Sequence, residues 1–118
     1  MTKAEYIERV RNSKVSPKRI KIINKAYETE INDIVAQIVS LADKVDFFDE
    51  ERRALSFQEI ANPKEQMKYD FVSKGLIPLI DAYDNTYVVY MISEKKWAKY
   101  NIVDQVLFKK REKLESVL

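Results

Sequence analysis

GLIPLIDAYDNTYVVYMISEKKWAKYNIV, residues 75–103, is the stretch whose period decides the architecture. Its apolar residues alternate or run unbroken instead of recurring every three or four positions, and β-branched and aromatic types dominate, so it reads as sheet. Strands are expected over 76–80, 87–92 and 97–103. The connections DAYDNT (81–86) and SEKK (93–96) are short enough for antiparallel hairpins, which makes the three strands a meander. YVVYMI is apolar on both faces, as a central strand covered by helices would be.

Working outward, the first half has a helical period. Tyr6, Ile7 and Val10 share a face, and Ser16-Pro17 supplies an N-cap followed by proline at the first helical position. Ile20, Ile23, Tyr27, Ile31, Ile34, Val35, Ile38, Leu41 and Ala42 then form one stripe ending near residue 43. That run is long for one helix, and Thr29, Asn32 and Asp33 favour local side-chain bonds to the backbone, so a kink or break is predicted over 28–32. Residues 45–57 suit two short strands around a charged turn. Ser56 and Glu59 have capping-box spacing for a short helix from Gln58 that stops at Asn62-Pro63. Residues 104–118, ending in Val117 and Leu118, read as a closing helix. The expected architecture is α+β, with N-terminal helices packed on a mostly antiparallel sheet in one domain, 1–118. Its parts are helical 1–43, hairpin, short helix and meander 45–103, and a C-terminal helix 104–118.

Composition narrows the chemistry. The 118 residues include 46% hydrophobic types, enough for a core that folds alone without staples. The absence of cysteine and histidine removes disulfides, thiol nucleophiles, imidazole acid–base catalysis and the usual zinc sites. The single glycine, Gly75, leaves no glycine-rich phosphate loop. No catalytic residue, metal or cofactor is therefore expected. The N-terminal stretch is charged throughout and no segment approaches the roughly 20 apolar residues that span a bilayer, so a cytoplasmic protein is expected, with no membrane partner. The net charge of +2 is polarised: residues 1–27 carry +6, 28–59 carry −6 and 60–118 carry +2. Two binding faces, or complementary solvated helix faces, would both give that pattern.

VDFFDEERRALSFQEI (45–60) and GLIPLIDAYDNTYVVYMISEKKW (75–97) resemble the SUKH superfamily of Smi/Knr-like proteins. The landmarks are Arg53, Leu55, Ser56, Glu59 and Ile60, then Ile77, Pro78, Asp81, Asp84, Tyr87 and Tyr90, within roughly residues 31–104. The chain departs from the family pattern at DAYDNT, where a glycine-rich acidic turn is usual, and at Glu30-Ile31-Asn32, where Leu-Pro is usual. The resemblance implies a bacterial immunity protein that neutralises a cognate toxin, frequently a nuclease, by occlusion.

Two acidic stretches are candidate partner surfaces. Asp43, Asp46, Asp49, Glu50 and Glu51 place five carboxylates in nine residues beside Phe47 and Phe48, an array that could steer a basic phosphate-binding cleft. A charged turn guarding a hairpin edge has the same composition, and Arg52 and Arg53 partly neutralise it. Asp81, Tyr83 and Asp84 mark the second stretch, where local turn chemistry competes with a partner contact. The alternative function is nucleic-acid binding by the basic N-terminal helices. Lys14, Lys18, Lys21 and Lys25 are spaced to form a ridge, but a solvated helix face looks the same. Trp97, Tyr87, Tyr90 and Tyr100 are expected as core and cross-strand partners.

Overall fold

The computed structural model describes residues 1–45, 47–49 and 51–118, without the side chains of Phe47 and Phe48. Helix α1 (Lys3–Arg11) starts at Thr2, whose hydroxyl accepts the Glu5 N–H while the Glu5 carboxylate accepts the Thr2 N–H, both at 3.1 Å. This reciprocal cap satisfies two orphan donors of the first turn. Ser16 and Pro17 open α2 (Pro17–Tyr27) as the sequence predicts. The long stripe then breaks inside the expected window. Glu28 turns left-handed at φ 52°, Asn24 Oδ1 accepts the Ile31 N–H at 2.9 Å, and Asn32 Oδ1 accepts the Val35 N–H at 2.9 Å to open α3 (Asp33–Leu41). Asparagine side chains here take over backbone bonds that a continuous helix would have made itself.

Strands β1 (Phe47–Asp49) and β2 (Arg52–Ala54) form the expected hairpin, and α4 (Phe57–Ala61) begins at the Ser56–Glu59 capping box. A further helix, α5 (Pro63–Met67), and a 3₁₀ turn, Val72–Lys74, follow; both are too short to show a period. Strands β3 (Leu76–Asp81), β4 (Thr86–Met91), β5 (Lys96–Asn101) and β6 (Val106–Arg111) complete one antiparallel sheet in sequence order, β1-β2-β3-β4-β5-β6. A register shift between Pro78 and Ile80 accommodates the proline within β3.

The structure corrects the reading of the C-terminus. Residues 104–118 form β6 and a short 3₁₀ turn, Leu114–Ser116, in place of a closing helix. Leu114 and Val117 have helical spacing and are buried at 4% and 0% exposure, but β5 offers an open ladder that Val106, Leu107 and Phe108 complete. Tertiary pairing overrides the local period. The third expected strand also stops earlier, at Asn101, because the Asn101 carboxamide oxygen accepts the N–H groups of Val103 and Asp104 and turns the chain.

Both sheet faces are covered. On one, α1 to α4 and the link before α4 bury Tyr6, Ile23, Val35, Val39, Leu55 and Ile60 against Ile80, Val88, Tyr90 and Trp97. On the other, the segment after α4 lays Phe71 over Leu76, Val89, Met91, Ala98 and Tyr100, with Met67 and Tyr69 beside it. This second cover is the physical reason β4 is apolar on both sides. Tyr90 and Trp97 are register partners with rings in edge contact at 4.9 Å, as expected of cross-strand aromatics.

Candidate functional site

In a meander, alternate turns fall at the same end of the sheet. The pairings Arg53–Asp81, Thr86–Asn101 and Asn101–Val106 bring together the turns after β1, β3 and β5. The turn after β3 is tight. Thr86 N–H donates to Tyr83 O at 3.0 Å across Asp84 and Asn85, whose φ values of 51° and 61° have the signs of a type I′ hairpin turn. Tyr83 before them is also left-handed, at φ 61°. A bulky residue held there costs about 1 kcal/mol, and such strain persists only where surrounding bonds over-determine it.

Asn101 supplies those bonds. Its Nδ2 donates to Asp84 O and Thr86 Oγ1, both at 3.3 Å, while its Oδ1 accepts from Val103 at 3.0 Å and Asp104 at 2.9 Å. The Ile102 N–H donates to Asn85 O at 2.9 Å. One side chain therefore locks two neighbouring turns to each other. With the backbone engaged, the turns present side chains: Tyr83 is 37% and Val103 66% exposed, and the Asp84 and Asp104 carboxylates are exposed with them. The result is a preorganised end with an aromatic ring, an aliphatic knob and two carboxylates. Asn101, Val103 and Asp104 were not singled out from sequence; the signal was an asparagine two and three residues ahead of the amides it accepts.

Arg53 ties this end to the helices. Its guanidinium grips Glu59 in a fork, Nη1–Oε1 2.9 Å and Nη2–Oε2 3.1 Å, and lies 3.6 Å from Asp81 Oδ2. Glu59 Oε1 also accepts the Ser56 N–H at 2.9 Å, so the capping carboxylate of α4 doubles as the arginine's partner. Asp81 Oδ1 accepts the Tyr83 N–H at 2.7 Å, which braces the strained turn. Burial opposes ionisation of Glu59, but hydrogen bonds from Arg53 and Ser56 and the arginine charge outweigh it and hold the carboxyl below the usual range. A depressed carboxylate stabilises above its unfolded pKa and loses that contribution as pH falls through its folded pKa. Glu59→Gln keeps the capping box but weakens the fork. It is expected to lower stability by about 1 kcal/mol at neutral pH. In urea titrations the difference from wild type should shrink as acid drops through the carboxylate range; a difference that stays constant with pH would contradict this assignment.

The structure divides the acidic candidates. Asp43 is a joint: its carboxylate receives Arg19 Nη2 at 3.3 Å and the Phe57 N–H at 3.3 and 3.4 Å. Asp49 pairs with Arg52 and accepts the Glu51 N–H at 3.0 Å, and the Arg52 hydrogen bond lowers its pKa against a smaller effect of burial. Asp46 and Glu50 lie outside the described residues. Glu51 is exposed at the turn end of the sheet. Asp81 serves the fold, whereas Tyr83 and Asp84 point outward. Of the basic ridge, Lys18, Lys21 and Lys25 are exposed on α2, while Lys14 sits in the loop before it.

Among the described residues no group of three or more acidic side chains converges to hold a metal ion, and no helix is long and apolar enough to cross a membrane. The site thus belongs to an α+β domain with a locked, mixed apolar and acidic sheet end. No family model, no curated protein and no solved structure matches the chain.

Proposed function

We propose that this domain acts by binding another protein: that it is a SUKH-like immunity protein of the bacterial cytoplasm, which neutralises a cognate toxin by covering its working surface. The observation that carries the reading is the strained turn at Tyr83–Asp84–Asn85. It holds an exposed tyrosine and carboxylate on a backbone that Asp81, Asn101 and Ile102 bond in place beside the turn carrying Val103 and Asp104. A turn kept only for chain reversal would be relieved by glycine. Tyr83 held left-handed with its side chain pointing outward, next to the Asp84 carboxylate, fits a preorganised contact in which an aromatic anchor is flanked by charge. Carboxylates at Asp84, Asp104 and Glu51 suit a partner with a basic cleft, whose approach they would accelerate. The reading is one of occlusion, not catalysis.

Two measurements test it. Tyr83→Gly should raise unfolding free energy by about 1 kcal/mol by releasing the left-handed strain. The same change should weaken partner binding by about tenfold or more through loss of the anchor. A variant that is more stable and still binds fully would remove the turn from the site. For the partner itself, the tagged protein is crosslinked in its own cell, treated with nuclease and purified beside a Tyr83→Ala, Asp84→Ser variant. One near-stoichiometric protein lost with the variant supports the reading. Micromolar binding to random duplex DNA at physiological salt, abolished by replacing Lys18, Lys21 and Lys25, would replace it with the nucleic-acid alternative.

A further inference from the structure

The two edges of the sheet are unlike. Strand β1 has three residues and an irregular register with β2, a short edge of the kind that resists pairing. Strand β6 has six residues, Val106–Arg111, and is exposed along nearly its whole length. Among the described residues, its backbone takes one hydrogen bond beyond the β5 ladder, from Arg111 Nη1 to Lys110 O at 2.8 Å. Apart from that bond, the outward-facing ladder groups of β6 have no protein partner among the described residues.

Lysines and a bulge are common devices for blunting such an edge, and Lys109, at φ 53°, lies where the β5–β6 register shifts. Those devices do not account for Val106 and Phe108, which are 50% and 42% exposed on the same strand. Phe108 is the register partner of Lys99, in the row that includes Val88 of the helix-side core. Both therefore lie on the helix-side face, past the point where the helices cover it. Positive charge gathers there. Burial, followed by the nearby charges of Lys109 and Arg52, lowers the Lys99 pKa; Glu51 opposes this and Lys3 adds to it.

We infer that β6 is a docking edge for an extended, carboxylate-bearing segment of a partner protein, which adds to the sheet as a seventh strand. The open ladder supplies backbone bonds, Val106 and Phe108 receive apolar side chains, and Lys99, Lys109 and Arg111 receive the carboxylates. A second copy of the chain is a poor occupant, because pairing β6 with itself doubles Lys109-Lys110-Arg111 within one two-stranded ribbon. A lipid surface is a poor one too, since outward-facing ladder groups cost several kcal/mol each in hydrocarbon. This edge begins two residues past Asp104 of the turn site but uses different side chains, and the inference does not depend on the toxin reading.

The test uses the full chain, uniformly labelled with ¹⁵N. The probe is a peptide of alternating valine and glutamate, set beside a matched valine–lysine peptide, an oligo-dT strand and phosphatidylserine vesicles. The glutamate peptide is expected to slow hydrogen exchange at the outward amides of Val106–Arg111 and to shift their resonances, leaving Tyr83 and Asp84 unmoved. Phe108→Glu, a change at an exposed position, should weaken that binding by about tenfold or more. The inference fails if millimolar peptide leaves the β6 amides unchanged, or if the lysine peptide protects them equally. It fails also if oligo-dT or vesicles shift them at lower concentration than the peptide, or if they are protected in proportion to protein concentration alone.

Discussion

Phe71→Ala is expected to lower the unfolding free energy by about 4 kcal/mol, the largest loss from any single substitution considered for this domain. Phe71 is fully buried and sits at the centre of the second core. Its ring meets Tyr69 at 4.8 Å and Tyr87 at 5.3 Å in edge contact, and Tyr100 at 6.2 Å. Truncation removes the transfer energy of the ring and leaves a cavity. The surroundings relax poorly, because Tyr69 and Tyr100 are joined hydroxyl to hydroxyl at 2.5 Å, and the Phe71 backbone is pinned by Lys74 and Leu76 N–H groups donating to its carbonyl. Domains of this size hold only about 5–15 kcal/mol in total, so the variant should be near its folding limit at 37 °C. Urea titration checks this; Phe71→Leu, closer in volume, should recover most of the loss. A loss under about 1 kcal/mol would mean that residues 63–75 do not fold cooperatively with the sheet.

Arg19→Ala is expected to cost about 3 kcal/mol, for a reason no period reveals. The guanidinium reaches from α2 to the end of α3, where Nη1 donates to Val39 O and Ala42 O, both at 2.9 Å, and Nη2 to Asp43. It also stacks 4.7 Å from the Phe57 ring centre. The ion pair is the lesser part, since Asp43 is 46% exposed and such pairs contribute about 0–1 kcal/mol. Charge-assisted bonds to two orphan helix carbonyls carry more, aided by the negative end of the α3 dipole and by the aromatic face. Arg19→Lys should recover little of the loss, because a point charge cannot fork two carbonyls and stack at once. Asp43→Asn should lose under about 1 kcal/mol. If Asp43→Asn proved as costly as Arg19→Ala, the ion pair and not the capping would be the source of stability. Thermal melts of the three variants decide the point.

The two variants also show where the sequence was readable. Ser16-Pro17, the Asn-rich break after Tyr27 and the Ser56–Glu59 box are local devices, each satisfied within a few residues, and each stands in the structure where the residues predict it. The meander was legible because its turns are short and its strands alternate. The candidate site was only half legible. Tyr83 and Asp84 belonged to a visible turn, but Asn101, 17 residues beyond Asp84, became its lock only when β5 paired with β4. Asp43 and Asp81 looked like neighbours of free carboxylates; their arginines, Arg19 and Arg53, come from 24 and 28 positions away.

Sequence alone therefore determined the α+β class, the antiparallel order of β3 to β5, the starts of α2 and α4 and the chemistry that lacks cysteine and histidine, because all of these follow from composition and from bonds between near neighbours. Tertiary structure decided that residues 106–111 join the sheet, that the segment 63–75 covers its second face, and which carboxylates remain for a partner. Strand addition and ion pairing are settled by what a distant element leaves open. For β6 that was the unfilled edge of β5, a partner strong enough to turn a helical pattern into a strand.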